Sequence, residues 1–457
     1  MEKSIVRGNT DTEYSSSSSS SVVRSNFAVV QEDILKCEIL SRLPVKSLMR
    51  FKCVSKTWLS LIEQDPYFAD LHFERSKARP ALLLVIPLRH KILDRISDEL
   101  ILTANLSRDR SKAEIHNILK TQLFSCNQIR GPVNGLVCFV DTANSDVRVY
   151  NISTREVTQR VRSTLLMQDP RSFHTIVNFG FDPVTRKHKV LCVYRSNPQP
   201  VQRHLDDKYK AYCEILTVGE DVWRRIDEVP PCDIGFPSVY MNGSIYYCSS
   251  KFMSRNWGNN DAVLVAFDVG SEIFRTITIP NLILNNRSSI SNKYHCAYLL
   301  EVDGHIAIAY MMSAYIVKLR VYRENTGYDI KGKKPKSTNL GSREANWIED
   351  TITLPFPWEI TLWWSFYTGA GKHQILVQSE KLMASGIDSV TQYSYDLKTK
   401  TFTKIKVCGI PSSIPDDCRI KLTPTFVESL FPIQRQRSSS WVLHSNIQQE
   451  CYSCTIV

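Results

Sequence analysis

Four stretches carry residue types that could do chemistry. Thr368-Gly-Ala-Gly-Lys372-His373 has the glycines and lysine of a phosphate-cradling loop, in which backbone N–H groups and an ammonium hold the phosphates and a following hydroxyl holds magnesium. Here the first glycine is misplaced and His373 stands where the hydroxyl is needed, so the stretch reads as a tight turn. Cys451-Tyr-Ser-Cys454 has the spacing of a zinc or redox pair, but no second pair or nearby histidine completes a tetrahedral set. Asp206-Asp207 could be a carboxylate pair for acid–base work, yet Arg203, His204 and Lys208 around it fit a solvated loop better. Leu354-Pro-Phe-Pro-Trp358 with Trp363-Trp364 is either packing plus loop or a recognition surface, since loops carry binding and tryptophan is a favoured anchor. Trp358, Trp363 and Trp364 are the candidate target contacts. The sequence contains no Gly-x-Ser-x-Gly, no His-Glu-x-x-His and no Gly-x-Gly-x-x-Gly after a strand, and its ten histidines are dispersed. The expectation is a non-catalytic protein with neither cofactor nor metal.

The element that organises the rest lies near the start. Between Glu32 and Leu43, Leu35, Ile39 and Leu43 recur at i, i+4 and i+8, with Ile34 and Leu40 widening the band, which predicts an amphipathic helix. Leu43-Pro44 ends it, because the residue before proline is pushed out of the α region, and Pro44 suits the first position of a second helix carrying Val45, Leu48 and Met49. A third helix carries Val54, Trp58, Leu61 and Ile62, and Asp65-Pro66 supplies the N-cap and first turn of a fourth segment through Phe73. A unit of about 45 residues buries too small a fraction of its chain to be comfortable alone. Part of its apolar surface should therefore be covered, either by another protein or by the rest of this chain.

In order and spacing, Glu32-Asp33-Ile34-Leu35, the run Glu38 to Leu48, the run Arg50 to Trp58, Leu61-Ile62 and Asp65-Pro66-Tyr67-Phe68 resemble a plant F-box. The resemblance implies a three-helix module that docks on a Skp-family adaptor and, through it, on the cullin of a ubiquitin ligase. By position it puts Val30, Ile34, Ile39, Leu43, Pro44, Val54 and Trp58 among the adaptor contacts or their supports. Where the family opens on Leu-Pro, this chain has Val30-Gln31, which removes a rigid proline from the adaptor-facing start and predicts weaker docking.

Of the 457 residues, 43% are hydrophobic and 23% charged, the composition of ordinary globular material. No apolar run reaches the roughly 18 residues that a membrane span needs, and Met1 to Gly8 carries charges where a signal peptide needs an apolar core, so a cytoplasmic or nuclear protein is expected. Thirteen scattered cysteines, several inside apolar runs such as Leu136 to Phe139, favour reduced and buried thiols over a disulfide framework. The net charge of +11 is spread out except at two places. Arg42, Lys46, Arg50, Lys52 and Lys56 lie in the helical module, either as a solvated face or as steering towards an acidic adaptor; nucleic acid is the less favoured partner. Lys331-Gly-Lys333-Lys334-Pro-Lys336 is a basic loop, read as a solvated loop with a nuclear-import signal as the alternative.

Residues 1–26, with serines from Ser15 to Ser21 and almost no large apolar side chain, are expected to be a disordered tail. The helical module is assigned to 27–75. From 76 to 435 the pattern changes to short apolar bursts separated by turns, and 436–457 is assigned as a C-terminal tail. Asn134-Gly135, Asn242-Gly243 and Asp303-Gly304 each sit between apolar residues, the strongest short hairpin signal. Asn151, Asp182, Asp268 and Asp396 each follow an aromatic residue and can close a turn by accepting a hydrogen bond from the backbone two residues on. The aromatics around Trp223 and Trp347 read as inter-strand packing. Hairpin spacings near multiples of about 43 to 60 residues predict a propeller of roughly six to eight four-stranded blades, with a pair of β-sandwiches as the competing architecture. Gly131 to Phe139, Tyr150 to Val157, Phe179 to Thr185 and Lys189-Val190-Leu191 resemble the F-box-associated, kelch-like domain of plant F-box proteins, which implies a target-recognition domain without naming a target. The expected fold is therefore α+β and multidomain: a small N-terminal helical F-box followed by an all-β propeller. Two other functions remain open at this point, a propeller enzyme with an accessory helical region and a basic nucleic-acid binder.

Overall fold

A computed structural model describes residues 34–89, 96–121, 128–141, 146–163, 173–196, 211–249, 263–279, 297–323, 346–357, 364–369, 373–379, 389–411, 414 and 421–433. The chain opens with short helices and continues almost entirely as strands. The first helical stretch, α1, is a π turn over Leu35–Ile39 running into a 3-10 turn over Leu40–Arg42. Three α-helices follow: α2 (Val45–Phe51), α3 (Lys56–Gln64) and α4 (Pro66–Ser76).

Three details depart from the periodicity argument. The wide π turn advances the register by a residue, so Leu40 is buried at 1% exposure while Ile39 is left at 51%. The inward set is Leu35, Leu40 and Leu43 rather than Leu35, Ile39 and Leu43. Pro44 is the N-cap of α2 rather than its first residue. Val54 lies before α3, because Ser55 takes the N-cap and its hydroxyl accepts a hydrogen bond from the Trp58 N–H at 3.1 Å. The Asp65-Pro66 signal gives the helix it predicts: the Asp65 carboxylate accepts from the Phe68 N–H at 3.0 Å, and Pro66 sits in the first turn of α4.

After α4, the strands β1 (Ala81–Arg89), β2 (Ile96–Leu106) and β3 (Lys112–Thr121) form an antiparallel meander. Five further groups of strands follow in chain order, the last of them joined to β3 by a short parallel pairing into one eight-stranded sheet. Blade one holds β4 (Gln128–Val133), β5 (Leu136–Asp141), β6 (Asp146–Asn151) and β7 (Glu156–Val157), with β8 (Val161–Arg162) also paired to β6. Blade two holds β9 (Phe173–Asp182), β10 (Lys187–Ser196), β11 (Ala211–Thr217) and β12 (Arg224–Ile226). Blade three holds β13 (Ile234–Met241), β14 (Ser244–Ser249), β15 (Val263–Asp268) and β16 (Phe274–Thr278). Blade four holds β17 (Ala297–Val302), β18 (His305–Met311), β19 (Ile316–Tyr322) and β20 (Trp347–Thr353). Blade five holds β21 (Trp364–Thr368), β22 (Gln374–Ser379), β23 (Ser389–Asp396) and β24 (Thr401–Cys408). The last strand, β25 (Lys421–Phe426), pairs with β1 and makes the early meander into a sixth blade. Its neighbours on either side are β21 and β4, the first strands of blades five and one, so among the described residues the blades close into a ring of six.

Each interface between neighbouring blades carries its own apolar cluster. Strand β10 shows why: Val190, Cys192 and Tyr194 face blade one, while the alternating Leu191 and Val193 face blade three. A strand buried on both faces must read as a continuous apolar run, which is what the sequence has there. Burial raises the Cys138 and Cys213 thiols to about 12 and holds Cys192 higher still, so these side chains act as small apolar fillers; no described cysteine is in a disulfide.

The turns follow the sequence closely. Asn134 and Gly135 have φ of 49° and 81°, Asn242 and Gly243 47° and 82°, Asp303 and Gly304 51° and 76°, the paired positive angles of the two-residue hairpin turn, and each joins the first two strands of a blade. The side-chain oxygens of Asn151, Asp182, Asp268 and Asp396 all accept from backbone N–H groups two or three residues on. The fourth residue after each (Arg155, Arg186, Glu272 and Lys400) takes a positive φ, a regularity that nothing in its residue type announces. Trp223 and Trp347 are buried between blades, as expected of packing aromatics, and the Trp223 indole donates to the Val161 carbonyl at 3.3 Å.

Candidate docking site

The helical module has a small closed core and an open face. Leu40, Val45, Leu48, Ile62, Phe68 and Ala69 are buried together, with Leu43 and Trp58 partly buried against them and Trp58 edge-on to Phe51 at 5.3 Å. His72 is buried beneath, where its Nε2–H donates to the Leu43 carbonyl at 2.9 Å; burial holds its pKa below the usual histidine value. That bond fixes the chain where it leaves α1. Outside this core, Ile34 (53%), Ile39, Val54 (64%), Leu59 and Tyr67 point to solvent, and Pro44 is exposed too. Five of the thirteen large apolar side chains exposed among the described residues fall between Ile34 and Tyr67, though this module is a small part of the chain.

Ion pairs brace the framework around the open face. Lys36 pairs with Asp65, the carboxylate that caps α4, and its ammonium also lies 5.5 Å from the Tyr67 ring centroid. Burial raises the Asp65 carboxyl, but Lys36 and the Phe68 N–H outweigh it and leave the group below its ordinary value. Glu38 bridges Arg42 and Arg75 at 2.8 and 3.0 Å, and these two guanidiniums lower its pKa. Of the basic residues singled out in the sequence, Lys52 pairs with Glu63 and Arg42 with Glu38, whereas Lys46, Arg50 and Lys56 are exposed with no carboxylate partner among the described residues.

The structure thus leaves Ile34, Ile39, Pro44 and Val54 exposed and sets Leu43 and Trp58 half inside against the core of the module. Val30 lies outside the described residues, as do Trp358 and Trp363. Trp364 begins β21, the first strand of blade five, at the end of the ring remote from the hairpin turns. The helices lie at the other end: Arg186, in the Asp182 turn of blade two, donates to Asp70 of α4 at 2.8 Å and its guanidinium stands over the Phe431 ring. Leu59 and Tyr67 were not foreseen as exposed; their apolar side chains on the outward positions of α3 and α4 were the available signal.

Thr368 ends β21 and His373 stands just before its antiparallel partner β22, with Ala370 to Lys372 outside the described residues; the His373 N–H is bonded to the Asp303 carboxylate of blade four at 2.6 Å. Tyr194 donates to Ser163 at 2.5 Å and lies 3.1 Å from Glu214, but the cluster is sealed between blades one and two. Among the described residues no three His, Cys, Asp or Glu side chains could hold a metal, and no helix is long and apolar enough to cross a membrane. Cys451, Cys454, Asp206, Asp207 and the basic loop around Lys333 fall outside the described residues.

Comparison with known proteins fits this division. Residues 33–69 match the F-box domain, and residues 96–326, just over half the chain, match the F-box associated beta propeller domain. The F-box protein At5g65850 of Arabidopsis thaliana is 31% identical over 386 residues, spanning 82% of this chain and 83% of that protein. The chain belongs to the F-box-associated β-propeller family. A further Arabidopsis F-box sequence, At1g32420, is 28% identical over 304 residues, 63% of this chain and 90% of its own length. Among solved structures, a chain of the nidogen/laminin complex overlays 76% of this F-box chain and 99% of its own at 10% identity with a TM-score of 0.35, too distant to say anything of this protein.

Proposed function

We propose that this F-box protein is the substrate-recognition subunit of a Skp–cullin–F-box ubiquitin ligase. In this reading the helical module (27–75) docks on a Skp-family adaptor, the adaptor joins it to cullin, and the ring (76–435) holds a target protein. The observation that carries the reading is the concentration of uncovered apolar side chains on the module: Ile34, Ile39, Val54, Leu59 and Tyr67, with Pro44 also exposed. Half-covered Leu43 and Trp58 hold that surface in place, and Lys46, Arg50 and Lys56 suit an acidic adaptor surface. Trp358, Trp363 and Trp364 are the proposed target contacts. The protein is then a non-catalytic receptor that accelerates ubiquitin transfer by holding the target at high local concentration beside the ligase.

The test separates docking from folding. Ile39→Asp with Val54→Asp changes two exposed side chains, so the ring and the module should melt as before while capture of a Skp-family adaptor falls by at least about a hundredfold, as expected when charges enter the centre of an apolar interface. Undiminished capture by the folded double variant would remove the proposed surface.

A further inference from the structure

The residues after the closing strand do not leave the molecule; they run between the ring and the helical module and bond to both. In Val427 to Ile433, alternate side chains face opposite ways. Leu430 is buried at 4% exposure in the core of the module beside Leu40 and Leu48, whereas Phe431 packs edge-on to Phe181 of blade two at 5.5 Å and to Phe73 of α4 at 5.7 Å. Glu428 reaches the start of α2, where Pro44 offers no side-chain cap, and its carboxylate accepts the Val45 N–H at 3.2 Å. On the ring side the Asn151 amide donates to the carbonyls of both Ser429 and Phe431, at 3.1 and 2.9 Å, the Ser153 hydroxyl accepts the Ser429 N–H at 3.0 Å, and Glu156 accepts the Ile433 N–H at 3.3 Å.

One residue type betrays the arrangement. Four turns that follow an aromatic strand end use an Asx side chain to accept backbone N–H groups, and in three of them the residue is aspartate: Asp182, Asp268 and Asp396. Only the turn under this segment has asparagine, and only there must the side chain both accept, through Oδ1 from the Ser153 and Thr154 N–H groups, and donate, through Nδ2 to the two carbonyls. Gly135, in the neighbouring hairpin turn of blade one, is equally constrained: a Cβ there would stand 2.4 Å from the Ser429 Cβ.

We infer that Val427–Ile433 is a two-sided strap that makes the helical module's packing conditional on closure of the ring. The strap is continuous with β25, whose pairing with β1 shuts the sixth blade, so Leu430 and Glu428 reach the module only from a ring that has closed. A chain whose propeller is open presents a module without its last core side chain and without the cap of α2. The ligase would thereby be spared receptors that cannot hold a target; this consequence rests on the adaptor-docking reading, whereas the coupling itself does not.

The test is Asn151→Asp in the full-length chain, read by peptide-resolved hydrogen exchange. Aspartate keeps the turn, as it does in the other three blades, but turns two donated hydrogen bonds into carboxylate–carbonyl contacts, and Asn151 bonds the strap rather than the helices. The expected result is at least about tenfold faster exchange across Val45–Phe51 and Pro66–Ser76, with β9 to β11 unchanged, because a lost buried pairing opens the structure locally. Unchanged protection of those helices would overturn the proposal. If all segments lose protection together, Leu430→Ala, which removes only the module-facing side chain, decides: acceleration confined to the helices supports the strap, and none overturns it. Adaptor capture is measured alongside. Coupling seen by exchange in a protein that captures no adaptor would keep the strap and defeat the ligase reading, while adaptor capture with uncoupled helices would do the reverse.

Discussion

At the scale of single residues, burial decides which titratable groups matter. His188 is buried between blades one and two, stacked on Phe179 and near Phe431, with its Nε2–H on the Val133 carbonyl at 3.1 Å, and burial brings its pKa down to about 4. Below pH 6.5 the unfolded chain takes up a proton at this position that the native state refuses until about pH 4, so stability must fall as pH drops through that window, by at most about 3 kcal/mol. His72 acts in the same direction. Glu428, whose pKa burial raises, acts in the opposite one, since the native chain protonates there first as pH falls. Urea midpoints at pH 7 and pH 4.5 should differ in the wild type and differ less in His188→Gln, which keeps a donor for Val133 without a titrating ring; equal pH dependence in the two proteins would show that His188 is not the group responsible.

At the scale of elements, the π turn in α1 is the feature with functional weight. By adding a residue to the turn it moves Leu40 into the core and frees Ile39 for the exposed face, whereas a regular helix would bury Ile39 along one stripe with Leu35 and Leu43. The two geometries make opposite predictions. Leu40→Ala should cost about 2–4 kcal/mol of stability, as truncations of buried leucines do, and Ile39→Ala should cost less than about 0.5 kcal/mol while weakening adaptor capture. Thermal melts of the two variants would check this, and a larger loss for Ile39→Ala would restore the regular helix.

At the scale of the whole molecule, the strand that closes the ring is supplied from the far end of the sequence. Leu83, Leu84 and Val85 of β1 pair with Thr423, Leu422 and Lys421 of β25, and these three β1 side chains have no solvent exposure. Removing residues 421–457 would bare that edge and the ends of its neighbouring clusters, leaving an unpaired apolar strand of the kind that recruits other chains. The shortened protein is expected to elute as aggregates in size-exclusion chromatography and to melt without a single cooperative transition. A monomer melting like the full chain would mean that the ring does not depend on this closure.

The sequence by itself determined what is local. Asn-Gly, Asp-Gly and Asx turns, the Asp65-Pro66 helix start and the doubly apolar strands all depend on backbone preferences and hydrogen bonds within a few residues, and each appears where its residues stand. The exposed positions Ile34 and Val54 were legible through likeness to the F-box pattern, but the register that exposes Ile39 was not, because periodicity assumes a regular helix. Only the tertiary structure decided the number of blades, the pairing of β1 with β25, and the insertion of Leu430 into a core built from residues nearly four hundred positions earlier. Contacts of that kind leave no period or spacing in the chain, since loop-closure entropy grows too slowly with separation to confine partners to nearby sequence, and complementary surfaces alone select them.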